Sequence, residues 1–401
     1  MLKLTRYGLA TGMAAVLAWG LAGCGGNNSL PPKTTISKVY VMGDSLADAG
    51  TFGFKYTVQD ASNPKGFPIW PQIVAGNLGL DALSQCNAFT GVTTSNSAGD
   101  WTNETYADNT ATGCTNYAIG SGRIYVPADP INASTDTPTK RAANPRNITN
   151  QFAKINAYSA TELVLIVGGG NDAADLVGKY LNAAQGATGA AAAYQTFLLQ
   201  QLSPSVLTEI MNSNGAVNGP GVAAGAYMQT LANTFYASIK TSVLDKGATK
   251  VAILNMPDIT VTPRFQMVLG SLGTSGPALQ AAIRQWISAF NTQLKSNIAN
   301  DSRVALVDFY YDINDEVTNP ASYGLSNATS TACPATGVDL VTGLPKYDFP
   351  TCTSTALDTT VGKTTGWWKT YAFSDGFHPT PMAHSLLASS VSRALARAGW
   401  L

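Results

Sequence analysis

A base that works near neutral pH is most often an imidazole, and this chain of 401 residues carries only two, His378 and His384. His378 stands in Phe373-Ser374-Asp375-Gly376-Phe377-His378-Pro379-Thr380. Three-residue spacing in a turn can bring the Asp375 carboxylate beside the ring, and Pro379 biases His378 towards extended backbone. A carboxylate that fixes the imidazole tautomer prepares it to take a proton from a hydroxyl nucleophile. The candidate hydroxyl is Ser45, in Gly43-Asp44-Ser45-Leu46 at the end of an apolar run. A turn between strand and helix would project its Oγ and leave its own N–H free to meet a developing negative charge. His384 falls in the first turns of a closing helix, where a packing or hydrogen-bonding role is expected. With so few histidines, a His-rich metal site is excluded.

Two other segments carry glycines at the ends of apolar runs. In Gly168-Gly169-Gly170-Asn171-Asp172 the glycines admit close approach of a ligand, and the Asn171 amide can donate to an oxyanion. Asp172 is expected to cap the following helix. No Gly-Lys-Ser/Thr follows, so a phosphate loop is disfavoured. Asn116-Tyr117-Ala118-Ile119-Gly120-Ser121-Gly122 is a β-like run entering a glycine turn. The G-x-S-x-G elbow of α/β-hydrolases is absent from the chain.

The elements that must position these residues alternate in type. Short apolar runs at 38–42, 162–167, 250–255 and 304–308 read as strands buried on both faces. Longer stretches near 190–213, 222–246 and 277–299 read as helices, and Thr380 with Pro381 forms a good helix start. This alternation predicts an α/β sheet covered by helices. Two Thr/Asn/Ser/Gly-rich stretches, near 84–147 and 325–366, read as loop insertions in one domain spanning 37–401.

Charged residues are only 12% of the chain, and 24 basic residues balance 24 acidic ones. Such a balance argues against a nucleic-acid partner and against a polybasic membrane dock. At the N-terminus, Lys3 and Arg6 precede an apolar stretch and then Leu21-Ala22-Gly23-Cys24. Residues 1–23 are therefore expected to be a lipoprotein signal peptide. Cleavage would leave Cys24 lipidated, 24–36 as a tether, and the protein anchored to the bacterial cell envelope, at the outer membrane. In an oxidising compartment Cys86, Cys114, Cys333 and Cys352 are expected to form two disulfides. The local pairs Cys86–Cys114 and Cys333–Cys352 are favoured, since each closes one insertion.

Together and in order, the four segments resemble the GDSL-type SGNH hydrolases. Gly43 to Leu46 matches the block with the nucleophile, Asn116 to Gly122 the second, Gly169 to Asp172 the third, and Asp375 to His378 the last. Asn255-Met256-Pro257-Asp258 and the stretch from Pro320 to Asn327 resemble the lipase-like branch. The resemblance implies a flavodoxin-like three-layer α/β/α sandwich with a parallel sheet, no metal and no organic cofactor, and a monomer is expected. It further implies that Ser45 attacks an acyl ester, His378 takes its proton and Asp375 orients the imidazole. The oxyanion would be met by the Ser45 N–H, a backbone N–H near Gly120 and Ser121, and the Asn171 side chain. The family's second block commonly has two glycines where this chain has Gly120-Ser121, so the donor is one of Gly120, Ser121 and Gly122. A carboxylesterase or lipase is expected, with a phospholipase, a thioesterase or a glycan O-acetyl esterase as alternatives. Outside the enzymes, the alternative is a substrate-binding surface lipoprotein. Trp70, Trp101, Trp367 and Trp368 would line an acyl groove or pack beneath loops.

Overall fold

Alternate residues of each central strand enter two different apolar layers, which is why these runs are continuously hydrophobic. The computed structural model describes residues 35–81, 86–92, 105–126, 144–339 and 342–401. The expected leader, Cys24 and Trp101 lie outside them. Residues 35–401 form one compact unit. Among the described residues the strands are β1 (Lys38–Met42), β2 (Phe89–Val92), β3 (Thr105–Asp108), β4 (Glu162–Ile166), β5 (Val251–Leu254), β6 (Val304–Val307), β7 (Asn327–Thr331), β8 (Gly337–Val338), β9 (Pro345–Lys346) and β10 (Tyr371–Phe373). The helices are α1 (Trp70–Asn77), α2 (Ile148–Phe152), α3 (Gly170–Ala184), α4 (Ala190–Leu198), α5 (Pro204–Ile239), α6 (Pro263–Ser271), α7 (Gly276–Ile298), α8 (Phe309–Thr318), α9 (Ser354–Asp358) and α10 (Pro381–Arg397).

β1, β4, β5 and β6 pair in that order as a parallel sheet. Beyond β1 the segment around Asn116 runs parallel to it, with the Val41 N–H donating to the Thr115 carbonyl and the Tyr117 N–H donating to the Val41 carbonyl. On one face Tyr40, Met42, Val164, Ile166 and Ile253 pack beneath α5 and α7. On the other, Val39, Val41, Leu163, Leu165 and Leu254 meet α1, α8 and α10. The result is a three-layer α/β/α sandwich with the helices divided between the two faces. Parallel strands present all their C-terminal ends on one edge, and the glycine-bearing segments after β1 and β4 therefore emerge side by side.

The helices differ in detail from the sequence expectation. The stretch near 190–213 is divided by the Ser203-Pro204 start of α5, where the Ser203 hydroxyl accepts the Val206 N–H at 3.3 Å. The next interruption falls at Gly215, whose φ of 68° is non-helical, within the expected break between 213 and 222. α7 follows expectation: Leu279, Ile283, Trp286, Ile287, Phe290 and Leu294 form a stripe of helical period buried against α5 and the sheet. α10 starts at Thr380, whose hydroxyl accepts the Ala383 N–H.

Cys86 is bonded to Cys114 and Cys333 to Cys352. The first bond ties the stretch before β2 to the segment alongside β1. The second holds the turn that contains Phe349 to the stretch after β7, and by the length of its loop constrains the unfolded chain by about 3 kcal/mol.

Candidate active site

Ser45 sits in a tight turn immediately after β1, as expected, but no helix follows the turn directly; α1 begins only at Trp70. The turn is braced by Asp44, whose carboxylate accepts the Leu46 N–H at 3.0 Å and whose carbonyl accepts the Ala47 N–H. Before it, Gly43 is clamped by the buried amide of Gln151, which accepts from the Gly43 N–H and donates to its carbonyl. A side chain at Gly43 would collide with Val167, so the ends of β1 and β4 approach closely only because this residue is glycine.

His378 arrives from the other end of the chain, on the turn between β10 and α10. Its Nε2 lies 2.8 Å from Ser45 Oγ, and its Nδ1 lies 2.9 and 3.0 Å from the two oxygens of Asp375. The Asp375 carboxylate also accepts the N–H groups of Phe377 and His378. Burial works against charging Asp375, but the imidazole and these donors outweigh it and hold the carboxyl below its usual range. The ring of His378 is packed between Tyr56 at 5.0 Å and Phe349 at 5.4 Å, centroid to centroid. Hydroxyl, imidazole and carboxylate thus form one hydrogen-bonded line, an arrangement able to shuttle a proton off the serine and on to a leaving group.

The donors expected to meet an oxyanion lie on the segment after Asn116 and at the N-terminus of α3. Ile119 N–H donates to Gly43, Gly120 N–H to Asp48 Oδ2, Gly122 N–H to Ile119, and Arg123 N–H to Arg146. Ile124 and Tyr125 N–H both donate to the Asp172 carboxylate. Ser121 is the exception: among the described residues its N–H has no acceptor. Of the candidate donors, Gly120 and Gly122 are therefore already engaged, which corrects the expectation that included Gly120, and Ser121 is left. Ser121 adopts φ 61°, the left-handed region where glycine is normally found. Arg123 holds it there, donating to the Ser121 carbonyl at 2.7 Å while making two bonds to Asp175 at 2.6 and 3.0 Å. Asn171 Nδ2 donates to the Gly122 carbonyl at 3.0 Å and lines the cavity beside Ser45.

Asp172 does not cap its own helix. Its carboxylate reaches across to the Ile124 and Tyr125 N–H groups, and burial pushes it up to about 7 despite those donors. Asp48, which sequence reasoning passed over, is a fully buried hub that accepts from Gly50, Thr51, Asn87 and Gly120. Burial also raises Asp44, to about 6. His384 is buried away from the serine, where its Nδ1 accepts the Trp70 N–H at 3.4 Å, and burial lowers it to about 3. Trp70 is buried in the layer of α1 and α10 and Trp368 in a cluster with Phe67, Trp367 and the Cys333–Cys352 bond, and none of the three tryptophans lines the cavity around Ser45.

That cavity measures about 1040 Å³ and has two arms. One is a groove from Asn171 along the face of α3 bearing Ala174, Gly178 and Leu181, facing Phe265 and Val268 of α6. The other runs past Leu46 between α8 and α10, among Phe309, Ile313 and Leu387, as far as Glu316.

Two GDSL esterase/lipases of Arabidopsis thaliana are each 23% identical to the chain over 162 residues, which is 39% of this chain and 42% of each relative. The matched stretch thus spans under half the length of these curated relatives. The profile of GDSL-like lipases and acylhydrolases matches residues 39–391, from the first strand of the sheet into its last helix. On that match across nearly the whole described fold, the chain belongs to the GDSL-like lipase/acylhydrolase family.

Proposed function

We propose that this protein is a serine esterase or lipase that hydrolyses carboxylic esters through an acyl-enzyme. The observation that carries the reading is the line from Ser45 Oγ through His378 to Asp375, made by residues 333 positions apart. Ser45 Oγ attacks the ester carbonyl carbon as its proton passes to His378 Nε2, and Asp375 supports the imidazolium that forms. The carbonyl oxygen, now negative, is met by the N–H groups of Ser45 and Ser121 and by the Asn171 amide. Each such donor is typically worth about 3 kcal/mol of barrier. Collapse breaks the bond to the alcohol, which leaves with the proton from His378. Water then gives a proton to His378 as it attacks the acyl carbon, and His378 passes that proton to Ser45 Oγ as the acyl bond breaks, releasing the acid and the free serine. The apolar groove along α3 supports an acyl chain in preference to an acetyl group, which favours esterase or lipase over glycan O-acetyl esterase. Phospholipase and thioesterase activities share the same first step. A binding lipoprotein that merely keeps the scaffold has no use for an aligned hydroxyl and imidazole.

Ser45→Ala is expected to lower kcat on p-nitrophenyl esters by on the order of 10⁶ with folding intact, and fluorophosphonate is expected to label Ser45. An alanine variant that retains turnover would refute the reading. We further propose that residues 1–23 are removed and Cys24 is lipidated, so that the enzyme works as a monomer anchored to the cell envelope. Metabolic palmitate labelling should then disappear in Cys24→Ala, and labelling that survives would sink this part.

A further inference from the structure

The arm of the cavity beyond Leu46 ends on a group that the hydrolytic mechanism leaves unused. Glu316 is 7% exposed and lines the cavity, and no described residue makes a hydrogen bond or ion pair with its carboxyl. Arg393 is the cation that acts on it through space, but Arg393 is itself paired with Asp312 at 3.3 Å. The remaining walls are Leu46, Phe309, Ile313, Phe373, Ala383 and Leu387, of which all but Leu46 are buried. A carboxyl in such a place is costly, since it gives up most of its hydration without a protein partner in return and is open only to the cavity it lines. Apolar side chains would fill the space at lower cost, and the adjoining positions show that they are available. Burial raises the group to about 8, so at neutral pH its protonated form offers one donor and one acceptor to the cavity.

We propose that this chamber is a substrate subsite, and that Glu316 recognises a hydroxyl carried by an otherwise apolar arm of the ester. The inference rests on the hydrolase reading, because the chamber is continuous with the cavity around Ser45. The hydroxyl can come from either side of the scissile bond, as a hydroxyacyl chain or as the free hydroxyl of a diol monoester. The protonated carboxyl donates to that oxygen and accepts its O–H. An arm without the hydroxyl leaves the carboxyl unpartnered, and sites of this kind discriminate strongly against the analogue that lacks the polar group.

The test compares two pairs of esters on wild type, Glu316→Gln and Glu316→Leu. Methyl hexanoate against methyl 6-hydroxyhexanoate probes the acyl arm, and butyl hexanoate against 4-hydroxybutyl hexanoate probes the alcohol arm. Wild type is expected to prefer the hydroxylated member of one pair by about tenfold or more in kcat/KM, and that pair identifies the source. Gln should keep most of the preference, and Leu should abolish it while retaining turnover of the plain ester and melting no lower than wild type. Absence of preference in wild type, or a preference that survives in Leu, overturns the proposal. Thermal shift with 1,6-hexanediol against 1-hexanol reads the subsite without turnover, with a larger shift for the diol expected in wild type and not in Leu. No ester turned over and no fluorophosphonate label would defeat the hydrolase reading, while the diol comparison would still decide this one.

Discussion

Arg123 never faces the reacting atoms through hydrogen bonds of its own, yet its removal should be felt in kcat. Left-handed backbone costs a residue such as Ser121 roughly 1–2 kcal/mol. A charge-assisted bond from Arg123 to the Ser121 carbonyl, worth about 1.5–3 kcal/mol, covers that strain. In Arg123→Met the strain is no longer opposed, and the Ser121 peptide can rotate its N–H away from the cavity. Complete loss of one oxyanion donor lowers kcat by about 10²–10³. Because the Gly122 carbonyl is still held by Asn171, the expected fall is smaller, about 10–100-fold, with KM within about twofold. Adding Ser121→Gly should recover most of the loss, because glycine takes this φ without steric cost. The Ser121 hydroxyl is buried without a partner, so its deletion forfeits nothing. Steady-state kinetics on one p-nitrophenyl ester, with melts to match foldedness, would check both variants. An unchanged kcat, a change confined to KM, or failure of the glycine to rescue a folded Arg123→Met protein would refute the positioning role.

Gly178 lies mid-helix on the groove face of α3, with open space where a side chain would stand. Gly178→Leu should gain helix stability of up to about 1 kcal/mol and cut hydrolysis of long-chain p-nitrophenyl esters about tenfold or more relative to butyrate, as chain-length series and melting curves would reveal; equal losses at all lengths would count against the groove. Burial raises Asp44 to about 6, Asp172 to about 7 and Glu316 to about 8, so these carboxyls hold more protons in the folded protein than in the unfolded chain, whereas His384, lowered to about 3, holds fewer but only below about pH 6.5. Over the window between about pH 6.5 and 8 stability should therefore fall as pH rises, the reverse of ordinary acid denaturation. Urea midpoints across it should show the slope flattened and the alkaline end raised in Glu316→Gln, by a few kcal/mol at most; a midpoint that climbs with pH in wild type would contradict these environments.

Local pattern made the strands legible, since Leu163 to Val167 and Val251 to Leu254 are too apolar to lie anywhere but between two layers. It also drew attention to Ser45, Asn171 and the Asp375–His378 turn, because each sits beside glycines or proline at the end of an apolar run. What it could not reach are pairings between distant segments whose residues are individually ordinary. Asp48 reads as a loop aspartate until it meets Gly120, 72 positions on, and Gln151 as a surface amide until it closes on Gly43. Arg123 and Asp175 are 52 positions apart, and only their contact shows that a polar pair braces the left-handed residue. Asp172 differs from expectation for the same reason: local logic offers it a helix terminus, whereas two N–H groups from the neighbouring loop make the stronger claim.

The bond between Ser45 and His378 joins the first strand to the turn before the last helix. A chain cut short anywhere before that turn can build the whole parallel sheet and still possess no base for its nucleophile. Contacts of such long range close late, after the sheet that supports them. Ester turnover therefore marks completion: during synthesis or refolding it should return only with the slowest step, which makes hydrolysis itself a timer for when the two ends of the molecule have met.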